Sequence, residues 1–213
     1  ISSRFLGKRK FIQSVADGIR WGEEFPGVFQ LLIVPEEETT KTVVDGISYK
    51  GSLYVYNIAE TGTISIVNEV LLDDYLDSVL SNQFNKERLS EEAAAAVAIV
   101  ARTNALYFAL NPKSAFWSVD GTEVGYLGNS NIKFASPVVQ AIEATRKMVM
   151  SQASNEGTKP FPAEWAQLLD QTKKDAKLAA ITLQDAERLA QKGDHAAEIL
   201  KKAFPGTSIQ LTD

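Results

Sequence analysis

The chain has 213 residues, 45% of them apolar, 9% aromatic and 23% charged, which is ordinary for a globular protein able to bury a sizeable core. Twenty-two basic against 27 acidic residues leave a net charge of −5 and a pI near 5.1, so no basic field exists to gather nucleic acid or anionic lipid. The absence of cysteine excludes disulfides, thiolate metal sites and cysteine nucleophiles, and a single histidine, His195, excludes a His-rich metal centre. No apolar run approaches the ~20 residues of a membrane span. The chain begins at Ile1 rather than Met and reads as a trimmed piece, so the missing signal peptide says nothing about compartment.

Taken in order, residues 1–27 are a lead-in: a basic stretch with Arg4, Lys8, Arg9 and Lys10, then Phe11 to Trp21 as a short helix or a strand pair. Residues 28–72 read as an antiparallel meander. Val28–Val34 is a dense apolar run stopped by Pro35, and Ser52–Ile58 and Thr63–Val70 alternate, with Asp45-Gly46 and Thr61-Gly62 as turns. The period then becomes helical. Leu72, Tyr75, Leu76 and Val79 form one stripe, and a longer helix runs from the N-cap Ser90 through Ala109 to Asn111-Pro112. A third helix is predicted over 137–149. After a break at 151–162, helices are predicted over 163–177, 183–191 and 196–203, with a short strand at 208–211.

Generic catalytic motifs are missing: there is no Gly-rich phosphate loop, Walker motif, HExxH or GxSxG, and no metal or cofactor is expected. His195 reads as a capping or surface residue at a helix start. The carboxylate runs Glu36-Glu37-Glu38, Asp73-Asp74 and Glu91-Glu92 are adjacent in sequence, face different directions and make poor acid–base pairs.

One ordered set of segments is specific. It comprises Tyr49-Lys50-Gly51, then Val67-Asn68-Glu69-Val70-Leu71-Leu72-Asp73-Asp74-Tyr75-Leu76, then Glu92-Ala93-Ala94-Ala95-Ala96-Val97-Ala98-Ile99-Val100-Ala101-Arg102-Thr103-Asn104-Ala105. Ala141 to Arg146, Gly157 to Ala163, and Gln191 to Thr207 continue it in the same order. The set resembles the stage II sporulation protein D family (SpoIID, with the LytB-like amidase enhancers). That family has a Tyr-Arg-Gly strand, a Val-Asn-x-Val-x-Leu-Glu-Asp-Tyr-Leu segment and an Ala-rich helix ending Ala-Arg-Thr-Tyr-Ala. The resemblance implies work on peptidoglycan. Active members look like lytic transglycosylases, in which one glutamate after the Tyr-Leu helix gives and reclaims a proton.

Counting forward from Tyr75 places that glutamate at Gln83; counting back from Arg102 places it at Phe84, so a one-residue insertion lies between. Neither residue is an acid, and glutamine cannot carry the proton. Three origins remain open: a deliberate inactivating substitution, natural loss with the fold kept for binding, or an acid relocated to Glu87, Glu92 or Asp73. The resemblance nominates Asn82, Arg102, Thr103, Tyr75 and Trp117 as sugar-binding residues. Each has a plainer reading as well: Arg102 buried against Asp73 or Asp74, Thr103 and Tyr75 as packing, Trp117 as a half-buried ring, and Asn82, Gln83 and Asn85 as a polar loop.

The expected fold is α+β, one SpoIID-like domain over 1–213, with a core at 28–150 holding a small antiparallel sheet on helices, and a helical part over 151–213. The expected function is binding or remodelling of peptidoglycan glycan strands, outside the cytoplasm in the cell envelope, as a lytic transglycosylase-like protein or a pseudoenzyme. The alternative is a non-catalytic scaffold docking a cell-wall amidase or a division protein. No nucleic acid partner is expected.

Overall fold

The computed structural model describes residues 9–84, 88–129, 136–154, 157–166 and 176–212. The chain is α+β and divides into two compact units, one of residues 1–44 and 49–70, the other of residues 45–48 and 71–213.

The first unit is built from strands. β1 (Ile12–Val15), β2 (Gly18–Trp21) and β3 (Glu23–Pro26) form one antiparallel sheet, so the segment 11–21 is the strand pair rather than the helix. β4 (Gln30–Ile33) is followed by β5 (Thr42–Val44), β6 (Ile47–Tyr49, of which 47–48 count with the second unit), β7 (Ser52–Ile58) and β8 (Thr63–Glu69), and a second sheet has the order β4-β7-β8. Alternation in β7 buries Leu53, Val55 and Asn57 on one face. Asn57 ties the two sheets of this unit together: its Nδ2 donates to the carbonyls of Val15 and Gly18, and its Oδ1 accepts from Ser14. Gly51 sits at φ +73°, and a Cβ there would stand 2.1 Å from the Glu69 carbonyl oxygen, which is why the Tyr49-Lys50-Gly51 segment ends in glycine.

The second unit is organised around one helix. α1 (Leu72–Gln83) precedes α2 (Glu91–Leu110), α3 (Gly121–Val124) and α4 (Pro137–Ala144); then come β9 (Met148–Ser154), β10 (Gly157–Lys159), β11 (Ala163–Ala166), β12 (Lys177–Thr182), α5 (Leu183–Gln191), α6 (Ala196–Ala203) and β13 (Thr207–Leu211). α2 is buried on both sides. Ala93, Ala94, Val97, Ala98 and Ala105 pack with Leu76 and Leu80 of α1 and Val138, Ala141 and Ile142 of α4. Ala96, Ile99 and Val100 pack with Met150, Ala163, Ala179, Ala186, Ile199 and Phe204. A helix apolar all round belongs in a core, and its alanines let neighbours approach closely. Contrary to the expectation of no span-length apolar run, α2 is long and apolar enough by composition to cross a membrane, and here protein packs on both its sides.

Two helix boundaries differ from expectation. The helix predicted over 137–149 stops at Ala144, and Met148 begins β9, paired antiparallel with β13. The reason is Arg102, whose guanidinium binds the last carbonyls of α4, followed by Lys147 at φ +65°, a left-handed residue that reverses the chain. The helix predicted over 163–177 is strand at both described ends, β11 and β12 in parallel pairing, and 167–175 lie outside the described residues. Asn104 fixes this: its amide donates to the Ala163 carbonyl and accepts from the Ala163 N–H, acting as a one-residue strand partner.

Candidate functional site

The site is assembled at the C-terminal end of α1 against the turn that follows α3, all within the second unit. The turn is fixed first. Asp120 caps α3, its Oδ1 accepting from the Thr122 and Glu123 N–H groups, and those bonds hold its carboxyl below the usual carboxylate range. Gly125 closes α3 at φ +70°, Tyr126 N–H returns to the Gly121 carbonyl at 2.8 Å, and Glu123 pairs with Lys113. Beyond the turn, Gly128 packs against Ser48 and Ile47, and Asn129 N–H donates to the Ser48 carbonyl at 2.6 Å.

Onto this turn α1 lays three side chains. Asn82 Nδ2 donates to the Gly125 carbonyl at 3.2 Å, and Gln83 Nε2 donates to the Val124 carbonyl at 3.4 Å. A Cβ at residue 125 would stand 3.3 Å from Asn82 Nδ2, so the glycine serves the close approach as well as its φ. Two turns back along α1, the Tyr75 ring stacks on Tyr126, centroids 5.6 Å apart and planes 24° from parallel. Burial pushes the Tyr75 phenol up to about 12, so it stays a neutral hydroxyl. Asn82 is half-buried and Gln83 exposed.

The other nominated residues are placed differently. Arg102 is 2% exposed, and its terminal nitrogens donate to the carbonyls of Ile142 and Thr145 and to Thr145 Oγ1, with Asp73 at 3.6 Å. It holds the end of α4 rather than lying open to a ligand. Thr103 is fully buried, donating to the Ile99 carbonyl and accepting from Met150 N–H, which pins the start of β9 to α2. Trp117 is half-buried beside Phe116, which is 59% exposed, with ring centroids 6.4 Å apart, in a turn closed by Ser114 N–H to the Trp117 carbonyl.

The two relocated acids within the described residues are engaged elsewhere. Asp73 bridges Arg102 and Arg146, while Glu92 accepts from the His195 ring and from the Ala196 N–H at the start of α6. Glu87 and Asn85 lie outside the described residues. The sequence places the site around Gln83, Arg102 and the 113–130 segment, whose Gly/Asn-rich loop at 121–130 contains this turn, but it singles out neither Tyr126 nor the carbonyls of Val124 and Gly125. The Asp120-Gly121-Thr122 cap and Gly125 mark a tight turn that was legible, but main-chain acceptors carry no residue-type signal.

Comparison with known proteins places this geometry in a family. The stage II sporulation protein (SpoIID) family profile matches residues 60–151, which include α1, α2, the turn at 120–126 and α4. An uncharacterized protein of Chlamydia muridarum is 34% identical over 209 residues, covering 97% of this chain and 66% of that protein. One from Chlamydia pneumoniae is 39% identical over 153 residues, 70% of this chain and 55% of the relative, and one from Brachyspira hyodysenteriae is 35% identical over 121 residues, 56% and 32%. The chain thus spans between a third and two thirds of the length of these relatives. No solved structure matches it. Residues 60–151, which hold the motif helices and the amide-bearing end of α1, thus match the stage II sporulation protein (SpoIID) family.

Proposed function

We propose that this chain binds peptidoglycan glycan strands in the cell envelope, at the site where related transglycosylases cut them, and does not itself carry out the cut. The family match supports a cell-wall related role. The observation that carries the rest is Gln83. It stands exposed at the end of α1, where the family pattern asks for a glutamate, and it holds the Val124 carbonyl through its amide nitrogen. A protonated carboxyl in that place would donate to Val124 and then hand its proton to a leaving glycosidic oxygen. The Gln83 amide reproduces the hydrogen bond and has no proton to give.

Binding needs less than catalysis. A pyranose ring offers an apolar face and a rim of hydroxyls, which suits the exposed Phe116 ring beside Trp117, together with the neutral Asn82 and Gln83 amides. The Lys113–Glu123 pair joins the aromatic turn to α3, and α3 ends at the carbonyl that Gln83 holds. A polymer of sugars is suited to such a line of contacts, since each unit adds a modest contribution.

The test uses purified glycan strands, with and without stem peptides. Sedimentation measures binding, and mass spectrometry scores anhydromuramyl ends. The chain co-sediments with the strands and releases no such ends. Release by the unmodified chain sinks the non-catalytic part, and Glu87→Gln then asks whether that residue supplies the acid. Failure to co-sediment sinks the glycan reading and favours a scaffold that docks an amidase or division protein.

A further inference from the structure

Among the described residues β8 pairs with β7 on one side and with no strand on the other. Three of the described strands are seven residues long; β7 and β9 lie central in their sheets, while β8 stands at an edge. The opposite edge of the same sheet is guarded. There β4 is four residues long and runs on into Pro35 and Glu36-Glu37-Glu38. In β8, Thr63-Ile64-Ser65-Ile66-Val67-Asn68-Glu69 has no lysine, arginine or proline, pairs with β7 residue for residue without a bulge, and keeps its one charge at its end. Proteins blunt a long, flat, apolar edge with just those devices, because its outward N–H and C=O groups template a further strand. Ile66 shows what the open edge costs: it stands in register with the buried Val55 and is still 40% exposed.

We infer that β8 is a self-association edge, which pairs antiparallel with β8 of a second copy of this chain so that Ile66 meets its own twin on the two-fold axis. The inference stands apart from the glycan reading above. Pairing about Ile66 sets Ile64 opposite Asn68, Ser65 opposite Val67 and Thr63 opposite Glu69. Opposed positions then differ by an even number, so each residue meets one on the same face of the sheet. The single carboxylate faces a threonine rather than its own copy, and no like charges meet across the ladder. The two Ile66 side chains cover each other. That self-complementarity selects a second copy over an unrelated strand, since a two-fold contact uses the same patch on both chains and closes after two.

The chain has no cysteine, so a single introduced one reports which residues face each other. Directly opposed residues of an antiparallel ladder have Cα atoms about 4.5–5.5 Å apart, within reach of a disulfide. Two copies of residue 63 would instead lie six positions apart along the ladder, about 20 Å, because each faces Glu69. Ile66→Cys therefore cross-links to a covalent dimer under a mild oxidant and Thr63→Cys does not. Sedimentation velocity of the full, unmodified chain over a concentration series shows a monomer–dimer equilibrium. Ile66→Lys sets two ammonium groups together and removes the apolar pair, which raises the dissociation constant at least about hundredfold. Thermal melts report whether that variant is folded, and if it is not, the two cysteine variants decide the question alone. A monomer at every concentration overturns the inference and leaves the edge to a strand of another protein. Cross-linking of Thr63→Cys as readily as Ile66→Cys, or a dimer unchanged in folded Ile66→Lys, overturns it as well and moves the contact to another surface.

Discussion

Gln83 donates to the carbonyl oxygen of Val124 at 3.4 Å, so the exposed amide at the end of α1 faces a main-chain acceptor. That direction matters to any carboxyl put in its place. A protonated carboxyl keeps the bond as a donor, whereas an ionised one sets two oxygens against the carbonyl. In Gln83→Glu the contact therefore favours the protonated form and raises the side-chain pKa above the ordinary glutamate value. Carbon-13 NMR titration of the labelled carboxyl reads this directly. A value at or below the ordinary one means the Val124 contact does not persist in solution.

Much of this arrangement can be traced to sequence, and the part that cannot has a common cause. The stripe Leu72, Tyr75, Leu76, Val79 and the turn pairs Asp45-Gly46 and Thr61-Gly62 are local patterns, and each forms the element its pattern specifies. Gly51 closes the Tyr49-Lys50-Gly51 motif because the backbone approach there leaves no room for a side chain. The segments 145–149 and 163–166 misled because distant residues decide them: Arg102 stops α4, and Asn104 holds Ala163 extended. Tertiary partners override local propensity there. Tyr126 falls in the loop expected to line the site, but its stacking on Tyr75, 51 positions earlier in the sequence, is a tertiary contact that no local pattern shows.

Arg102 illustrates a buried charge held mainly by backbone. Burial pulls its pKa down, the Asp73 carboxylate opposes that, and its terminal nitrogens bind the Ile142 and Thr145 carbonyls. Arg102→Met removes the guanidinium and leaves buried carbonyls unpaired, an expected loss of about 3–5 kcal/mol. Arg102→Lys recovers only part of it, since one ammonium cannot span both carbonyls with the planar fork. Urea denaturation of the two variants checks the order. Equal stability of Arg102→Lys and the unmodified chain would mean the fork geometry is unimportant.

Lys147 adopts φ +65° between α4 and β9. Its carbonyl accepts from both the N–H and the hydroxyl of Thr212, so the conformation is held from outside. A side chain other than glycine in the left-handed region costs about 1 kcal/mol. Lys147→Gly keeps the backbone bonds and removes that strain, offset in part by the greater freedom of glycine in the unfolded chain. A gain of about 0.5 kcal/mol is expected on the shift of the denaturation midpoint. Lys147→Val, β-branched and worse at positive φ, moves the midpoint the other way.

The last prediction concerns pH. Glu92 in the first turn of α2 accepts from the His195 ring at 3.1 Å and from the Ala196 N–H at 2.6 Å, joining α2 to the start of α6. The Glu92 hydrogen bond raises the His195 pKa above its ordinary 6.5, with Glu198 and Asp194 adding to it. The same bond, with that from Ala196, lowers Glu92 below its ordinary 4.5. A raised histidine contributes fully below its unfolded value and is lost as pH rises through the folded one. A depressed glutamate contributes above its unfolded value and is lost as pH falls through the folded one. The pair is therefore most effective between about pH 4.5 and 6.5, and its contribution declines on either side. Both side chains are largely exposed, so the effect is modest and sensitive to salt. Melting temperatures taken from pH 6 to 8.5 fall in the unmodified chain, while His195→Asn, which keeps a capping side chain and cannot titrate, shows a flatter profile. Identical slopes for the two would assign the pH dependence to other groups and leave the Glu92–His195 contact without a role in it.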